Sequence, residues 1–438
     1  MMDQGIRDRE RGSVKHGIWE SDISMKEFHQ LSGTQIRKFG LTEDSSKHVN
    51  TLEELVESPP NIIICEAKRT FQFTQNYFRK QEMKKKVKYV MGLGVFQQLQ
   101  YAGGKSEVKL LIPSTMKFKN IYRPYKGQDL DDKTILVFRT GGIGDLLFIQ
   151  PNLIYLKEKY PTCKIKFACG PQYQPMVCNW DCVDEVLELP FTLKNLIESD
   201  YHVLFEGVIE RCKQAETINA YNLFSKWMGL DLPDELLIPK QDPEEELFDK
   251  CSKIIEEWGL LQKPTVLMQL RASSPIRTPR HEFWIKIIDE LNERGYNVIL
   301  TDNPRQTKNI NAFIRLIKNK DMIFNFCEKS ESIAHTIALT KLVTAVISTD
   351  SALDHIAASL SIPCFGIFGP FPGYIRLKTY PKAAWVDAKR SCSPCFIHGP
   401  KPCPQANVEG YSPCYDELID TDIKLKNVID KFEELIND

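Results

Sequence analysis

The chain has 438 residues, 42% hydrophobic and 26% charged, with 57 Lys and Arg against 58 Asp and Glu for a net charge of −1. That composition excludes a disordered, collagenous or coiled-coil chain, and the balanced charge excludes a bulk basic field for nucleic acid or an anionic membrane. No apolar run approaches the roughly 18 residues of a membrane span, and the polar start MMDQGIRDRERGS lacks the apolar stretch of a secretory signal, so the chain reads as cytoplasmic.

Residues 1–50 are polar and weakly periodic and read as a loosely ordered arm with one short helix. Strand-like runs follow at 61–65, 88–91 and 108–112, which suggests a small α+β or β-barrel-like domain ending near residue 130. Between the first two runs lies the basic, aromatic stretch RTFQFTQNYFRKQEMKKKV. It reads either as a solvated helix with core aromatics or as a surface for a polyanion or partner.

From residue 131 to about 240 the texture is βαβ. TILVF is a strand, RTGGIGD a glycine turn, and 146–160 an apolar-periodic helix; strand-like runs recur at 165–168, 185–189 and 203–205. The polar, proline-bearing LLIPKQDPEEE marks a boundary near 240. A second alternating series fills 241–390, with strands at 266–270, 297–301, 344–348 and 364–368. Helices are expected over 280–294, 305–317, 331–339 and 351–359. A last segment, 391–438, joins a cysteine-rich loop to a helix on which Leu425, Val428, Ile429, Phe432, Leu435 and Ile436 share one face. The fold class is therefore α/β, two Rossmann-like doubly wound domains with a small N-terminal α+β extension. Such sheets bind ligands at their carboxyl edges.

Three clusters sit at strand ends. In Arg139-Thr140-Gly141-Gly142-Ile143-Gly144-Asp145 the glycines permit close backbone approach, and Asp145 stands at a helix N-terminus, where it serves either chemistry or as a plain cap. The run Gln269–Arg277 brings Arg271, Ser273 and Arg277 to one strand end, where guanidinium forks suit phosphate oxygens or a surface ion pair. In Ser348–Ala358 a strand ends at Asp350 and Ser351 and opens a helix, giving N–H donors for a diphosphate and an acid for sugar hydroxyls.

Thirteen cysteines are present, and four of them (Cys392, Cys395, Cys403, Cys414) are spaced C-x2-C-x7-C-x10-C in a loop rich in proline. In a reducing compartment such a cluster reads as a metal site before a disulfide framework. Four thiolates suit structural zinc or iron, the spacing alone favours zinc, and His398 is an alternative ligand.

The motifs GGIGDLLFIQP, RASSPIRTPRHEFW and TDSALDHIAASLSIPCFGIFGP, in that order over about residues 133–372, resemble glycosyltransferase family 9, the ADP-heptose:lipopolysaccharide heptosyltransferases and their relatives. The resemblance implies a GT-B fold with the acceptor on the N-terminal half and a nucleotide diphosphate-sugar on the C-terminal half. It also implies inverting transfer without a catalytic metal. It makes Asp145 the general base in an acceptor loop of Gly141, Gly142 and Gly144. It puts Arg277, with Arg271 and Ser273 nearby, at the donor phosphates, and Asp350 on the donor sugar. Ser351, Ala352 and His355 would hold the diphosphate, and Gln306 is nearest to the glutamate some members turn to the nucleoside. This sequence departs from the family in several places. Arg277 stands where lysine is common, Ala352 where glycine is common, and Asp354 adds an acid beside the expected phosphates. The N-terminal extension and CSPCFIHGPKPCP look more like the bacterial autotransporter heptosyltransferases, which modify proteins, form large rings and carry iron. That closer resemblance implies a protein Ser/Thr acceptor, a homo-oligomer and an iron site. A glycan, lipopolysaccharide or modified nucleic-acid base is the alternative acceptor, and a non-enzymatic nucleotide-binding scaffold the alternative of another class.

Overall fold

The computed structural model describes residues 18–21, 47–48, 62–65, 88–91, 123–188, 195, 198–397, 402–407 and 410–437. The expected strand at 108–112 and the basic, aromatic stretch lie outside them. Two compact units emerge from the packing. The first comprises Met1–Thr140, Lys157–Pro171 and Val183–Glu206; the second comprises Gly141–Leu156, Gln172–Cys182 and Gly207–Asp438.

The first unit holds two sheets. Strands β1 (Ile18–Ser21), β2 (Lys47–His48), β3 (Ile62–Cys65) and β4 (Lys88–Met91) are ordered β2-β1-β3-β4, with β1 antiparallel to both neighbours and β3 parallel to β4. Two of these strands fall inside the arm expected to carry a short helix. Strands of four and two residues are too short to leave a periodicity in a polar sequence. The second sheet is fully parallel: β5 (Thr134–Phe138), β6 (Lys164–Cys169), β7 (Glu185–Glu188) and β8 (Tyr201–Leu204), in the order β7-β6-β5-β8. Ile135, Leu136, Val137 and Phe138 are all buried, as a central parallel strand requires.

The second unit is built on a six-stranded parallel sheet. Its strands are β9 (Thr265–Gln269), β10 (Asn297–Leu300), β11 (Ile323–Asn325), β12 (Ala345–Thr349), β13 (Cys364–Phe368) and β14 (Ala383–Asp387), ordered β11-β10-β9-β12-β13-β14. Counted from β9 this is the 3-2-1-4-5-6 order of dinucleotide-binding sheets, and the direction of winding reverses between β9 and β12. One face is covered by α4 (His281–Glu293), whose Phe283, Trp284, Ile287, Ile288 and Leu291 recur at helical spacing and are buried. Trp284 donates from Nε1 to the Leu270 carbonyl at 2.8 Å, which ties α4 to the exit of β9. The terminal helix α8 (Asp422–Asn437) adds Val428, Ile429 and Phe432 to the same core. Arg294 anchors that helix through Asp430 at 2.6 Å and Glu433 at 2.5 Å.

Candidate active site

The glycine turn after β5 opens α1 (Ile143–Lys159). Gly142 has φ +80°, a backbone region that side chains resist, and a Cβ there would collide with the Asp145 carboxylate. The carboxylate therefore folds back over the turn in the first turn of α1, where the helix dipole favours an anion. A Cβ on Gly144 would stand 2.9 Å from His355 Cδ2. Phe148, one turn further along α1, packs edge-on against the same imidazole at 4.7 Å between centroids. Thus the turn bearing Asp145 and the helix that follows Asp350 touch directly through Gly144 and His355.

Asp350 and Ser351 leave the carboxyl end of β12 beside the exit of β9. Ser351 caps α7 (Ala352–Ser359) by accepting from the Leu353 N–H, and its hydroxyl also bonds Gln269 at 3.1 Å. Ala352 is the first residue of that helix. Asp350 is 4% exposed. Its Oδ1 accepts from Arg376 Nε at 3.3 Å, and its Oδ2 lies 3.2 Å from Arg277 Nη1. Oδ2 takes no hydrogen bond, because Nη1 is aimed at the Asp350 carbonyl at 3.0 Å; Arg277 Nη2 donates to Ser273 Oγ at 2.7 Å. Burial alone would raise the Asp350 pKa, but Arg376 and then Arg277 outweigh it and hold the carboxyl at about 2.

Two neighbours are neutral. Asp354, four residues from Asp350, is buried and accepts from Ser348 Oγ at 2.8 Å, and desolvation pushes its pKa well up. The acid that departs from the family pattern is thus a protonated core group, with no charge to oppose a phosphate. His355 Nδ1 bonds Tyr380 Oη at 2.7 Å, and Tyr380 Oη in turn meets Tyr221 Oη. Desolvation lowers the His355 pKa to about 3 despite the pull of Asp350. Two arginines against one ionised carboxylate leave this strand end with net positive charge, which suits a diphosphate.

Other expected residues are placed less directly. Arg271 is held in a two-pronged ion pair by Asp302, at 2.9 and 3.1 Å. Gln306, just before α5 (Thr307–Ile314), accepts from Asn309 at 2.7 Å. The sequence reading missed Arg376, which lies in the short helix Tyr374–Leu377; only its place a few residues beyond the Gly369-Pro370-Phe371-Pro372 turn could have pointed to it.

Cys392, Cys395, Cys403 and Cys414 line one small cavity together with Ile276, Pro370 and Ser412. Burial, and then the three other thiols, push the Cys414 pKa up to about 12. Among the described residues no group of three or more His, Cys, Asp or Glu side chains closes round a single point as a metal site would. Sharing a cavity is the looser condition, and the donor set fits zinc or iron in type and in neighbourhood only. His398 lies outside the described residues. The segment is fastened to the loops that follow β9 and β13: Ser412 Oγ donates to the Ile276 carbonyl at 3.1 Å, and the Cys395 N–H to the Pro370 carbonyl at 3.0 Å. Among the described residues no helix is long and apolar enough to cross a membrane.

Residues 216–402 match the sequence model of glycosyltransferase family 9 (heptosyltransferase), a span that includes Arg277 and Asp350 and leaves out Asp145. No curated protein matches the chain. Among solved structures, the family 9 glycosyl transferase from Veillonella parvula is similar over 70% of this chain and 98% of its own, at 14% identity and a TM-score of 0.54. The ADP-heptose lps heptosyltransferase II of E. coli is similar over 69% of this chain and 98% of its own, at 17% identity and a TM-score of 0.52. The iron-containing dodecameric glycosyltransferase TibC of enterotoxigenic E. coli covers 71% of this chain and 78% of its own at 14% identity, with a TM-score of 0.48, a likeness too slight to bear on metal or assembly here. Those similarities show an α/β GT-B fold, and the match of residues 216–402, less than half of the chain, to the glycosyltransferase family 9 (heptosyltransferase) model identifies a glycosyltransferase.

Proposed function

We propose that this chain is an inverting glycosyltransferase that moves a heptose from ADP-heptose to a hydroxyl, with protein Ser or Thr as the acceptor. The observation that carries the donor reading is the convergence of Arg277, Asp350 and the N-terminus of α7 at the reversal point between β9 and β12. Net positive charge and a helix N-terminus there suit a leaving diphosphate, and Asp350 Oδ2, buried beside Arg277 without a hydrogen bond, can accept from a sugar hydroxyl once Arg277 turns to the phosphates. ADP-heptose is the first choice because the matched family is that of the heptosyltransferases and a structure of similar fold is an ADP-heptose enzyme. The protein acceptor rests on the N-terminal extension, which the lipopolysaccharide enzymes lack, and on the cysteine segment, which many of them lack.

In this reading Asp145 takes the acceptor proton as the sugar centre becomes cation-like. A carboxylate is a weak base, and it suffices when the leaving diphosphate, held by Arg277, does most of the bond breaking. The step needs no metal. The four cysteines hold one structural zinc or iron, remote in role from the chemistry; bound there, the ion supplies the core that a proline-rich loop lacks. The protein acts in the cytoplasm. Incubating labelled ADP-heptose with the protein and separated cell fractions tests the reading. Label is expected in the protein fraction, and label confined to lipopolysaccharide would refute the acceptor.

A further inference from the structure

We propose that Arg376 is a positioning residue of the donor site, which keeps the Asp350 carboxylate paired so that Arg277 is released to the leaving diphosphate. The proposal rests on the reading of Arg277 and Asp350 as donor contacts. Arg376 lies outside all three motif clusters, yet it is the more deeply fixed of the two arginines on Asp350. It is 4% exposed, its Nε donates to Oδ1 at 3.3 Å, and its guanidinium sits 5.1 Å from the centroid of the Phe371 ring. It therefore has no open face for a ligand. The Arg277 side chain is 23% exposed and holds the Asp350 carbonyl and Ser273 Oγ, contacts that a phosphate oxygen can replace.

One carboxylate thus faces two cations of unequal freedom. With Arg277 alone, donor binding would meet a conflict, because turning Arg277 to the phosphates would strand a buried, unpaired carboxylate, which is strongly unfavourable. With Arg376 fixed on Oδ1, Arg277 can turn away and Asp350 stays ionised. The other titratable groups facing Asp350 cannot substitute: His355 is neutral, Asp354 protonated, and Tyr415 a buried phenol. Oδ2, buried beside Arg277, is freed for a sugar hydroxyl when Arg277 turns away, while Oδ1 stays with Arg376.

Calorimetric titration with ADP tests this in the full chain, across wild type, Arg376→Gln, Arg376→Lys, Asp350→Asn and the double variant Arg376→Gln/Asp350→Asn. Arg376→Gln should weaken ADP by about tenfold or more, since Arg277 then stays locked on the carboxylate, and Arg376→Lys should recover part of the loss. Asp350→Asn in the Arg376→Gln background should restore affinity to within about threefold of Asp350→Asn alone, because an amide needs no cation. A merely structural role for Arg376 would not be rescued that way. Should Arg376→Gln not fold by itself, the lysine and double variants carry the same comparison. Unchanged affinity in Arg376→Gln, or a folded double variant that remains weak, overturns the proposal alone. A wild-type protein that binds none of ADP, GDP or UDP overturns the donor reading and the proposal with it.

Discussion

Asp350 and Asp354 lie four residues apart and are held in opposite protonation states, one by two arginines and the other by burial. The signs of their pH effects differ accordingly. The folded pKa of Asp350, about 2, is below its ordinary 3.8, so its pairing stabilises the fold above 3.8 and is lost as pH falls toward 2. His355, at about 3 against 6.5, is denied a proton that the unfolded chain takes, so stability also falls as pH drops below 6.5. Asp354 is raised: the folded chain keeps a proton that the unfolded chain releases above 3.8, so stability is lost as pH rises. Asp354→Asn should therefore raise the melting temperature more at pH 7 than at pH 4, and an equal shift at both would refute a protonated Asp354. The base assignment predicts that Asp145→Asn lowers the transfer rate by roughly two or more orders of magnitude, with ADP affinity nearly unchanged. Full activity in that variant would rule the assignment out. Asp145 and Asp350 stood out in the sequence because they lie at a helix start and just past a strand end within short motifs, and Arg277 because it follows closely on the exit of β9. Arg376 did not, because its partner is 26 residues away and no local spacing records it.

At the scale of elements, the contact of the glycine turn with α7 explains why Gly144 carries no side chain. His355 cannot step aside, being buried and bonded to Tyr380. Gly144→Ala should destabilise the protein by about 1–3 kcal/mol as an overpacking change and lower the transfer rate with it. Thermal melting and donor turnover read the two effects, and a neutral outcome in both would deny the contact. The long elements were readable from their patterns: α4 and α8 from apolar residues at helical spacing, β5 and β9 from continuous apolar runs. Strands β11 and β14 escaped notice because they are edge strands only partly buried, so no strong apolar run marks them. The order β11-β10-β9-β12-β13-β14 could not be read either, since pairing between distant strands leaves no local signal.

For the whole molecule, the cysteine segment and the loops after β9 and β13 belong to one unit, joined through Ser412 to Ile276 and through Cys395 to Pro370. If four thiolates hold an ion there, protein purified without added metal should contain about one zinc or iron per chain, the stoichiometry of a four-ligand structural site. Cys392→Ser/Cys395→Ser should lose it and become protease-sensitive near residues 390–415. Metal-free protein with a protected loop would be decisive against the ion. The central claim, that residues from the glycine turn and the β9–β12 reversal form one sugar-transfer site, is tested most directly by acceptor-dependent release of ADP from ADP-heptose. The account predicts release by the wild type in the presence of the protein fraction, and its near abolition in both Asp145→Asn and Arg277→Ala. A wild-type protein that releases no nucleoside diphosphate from any sugar donor, or variants that release it as fast as the wild type, would contradict it.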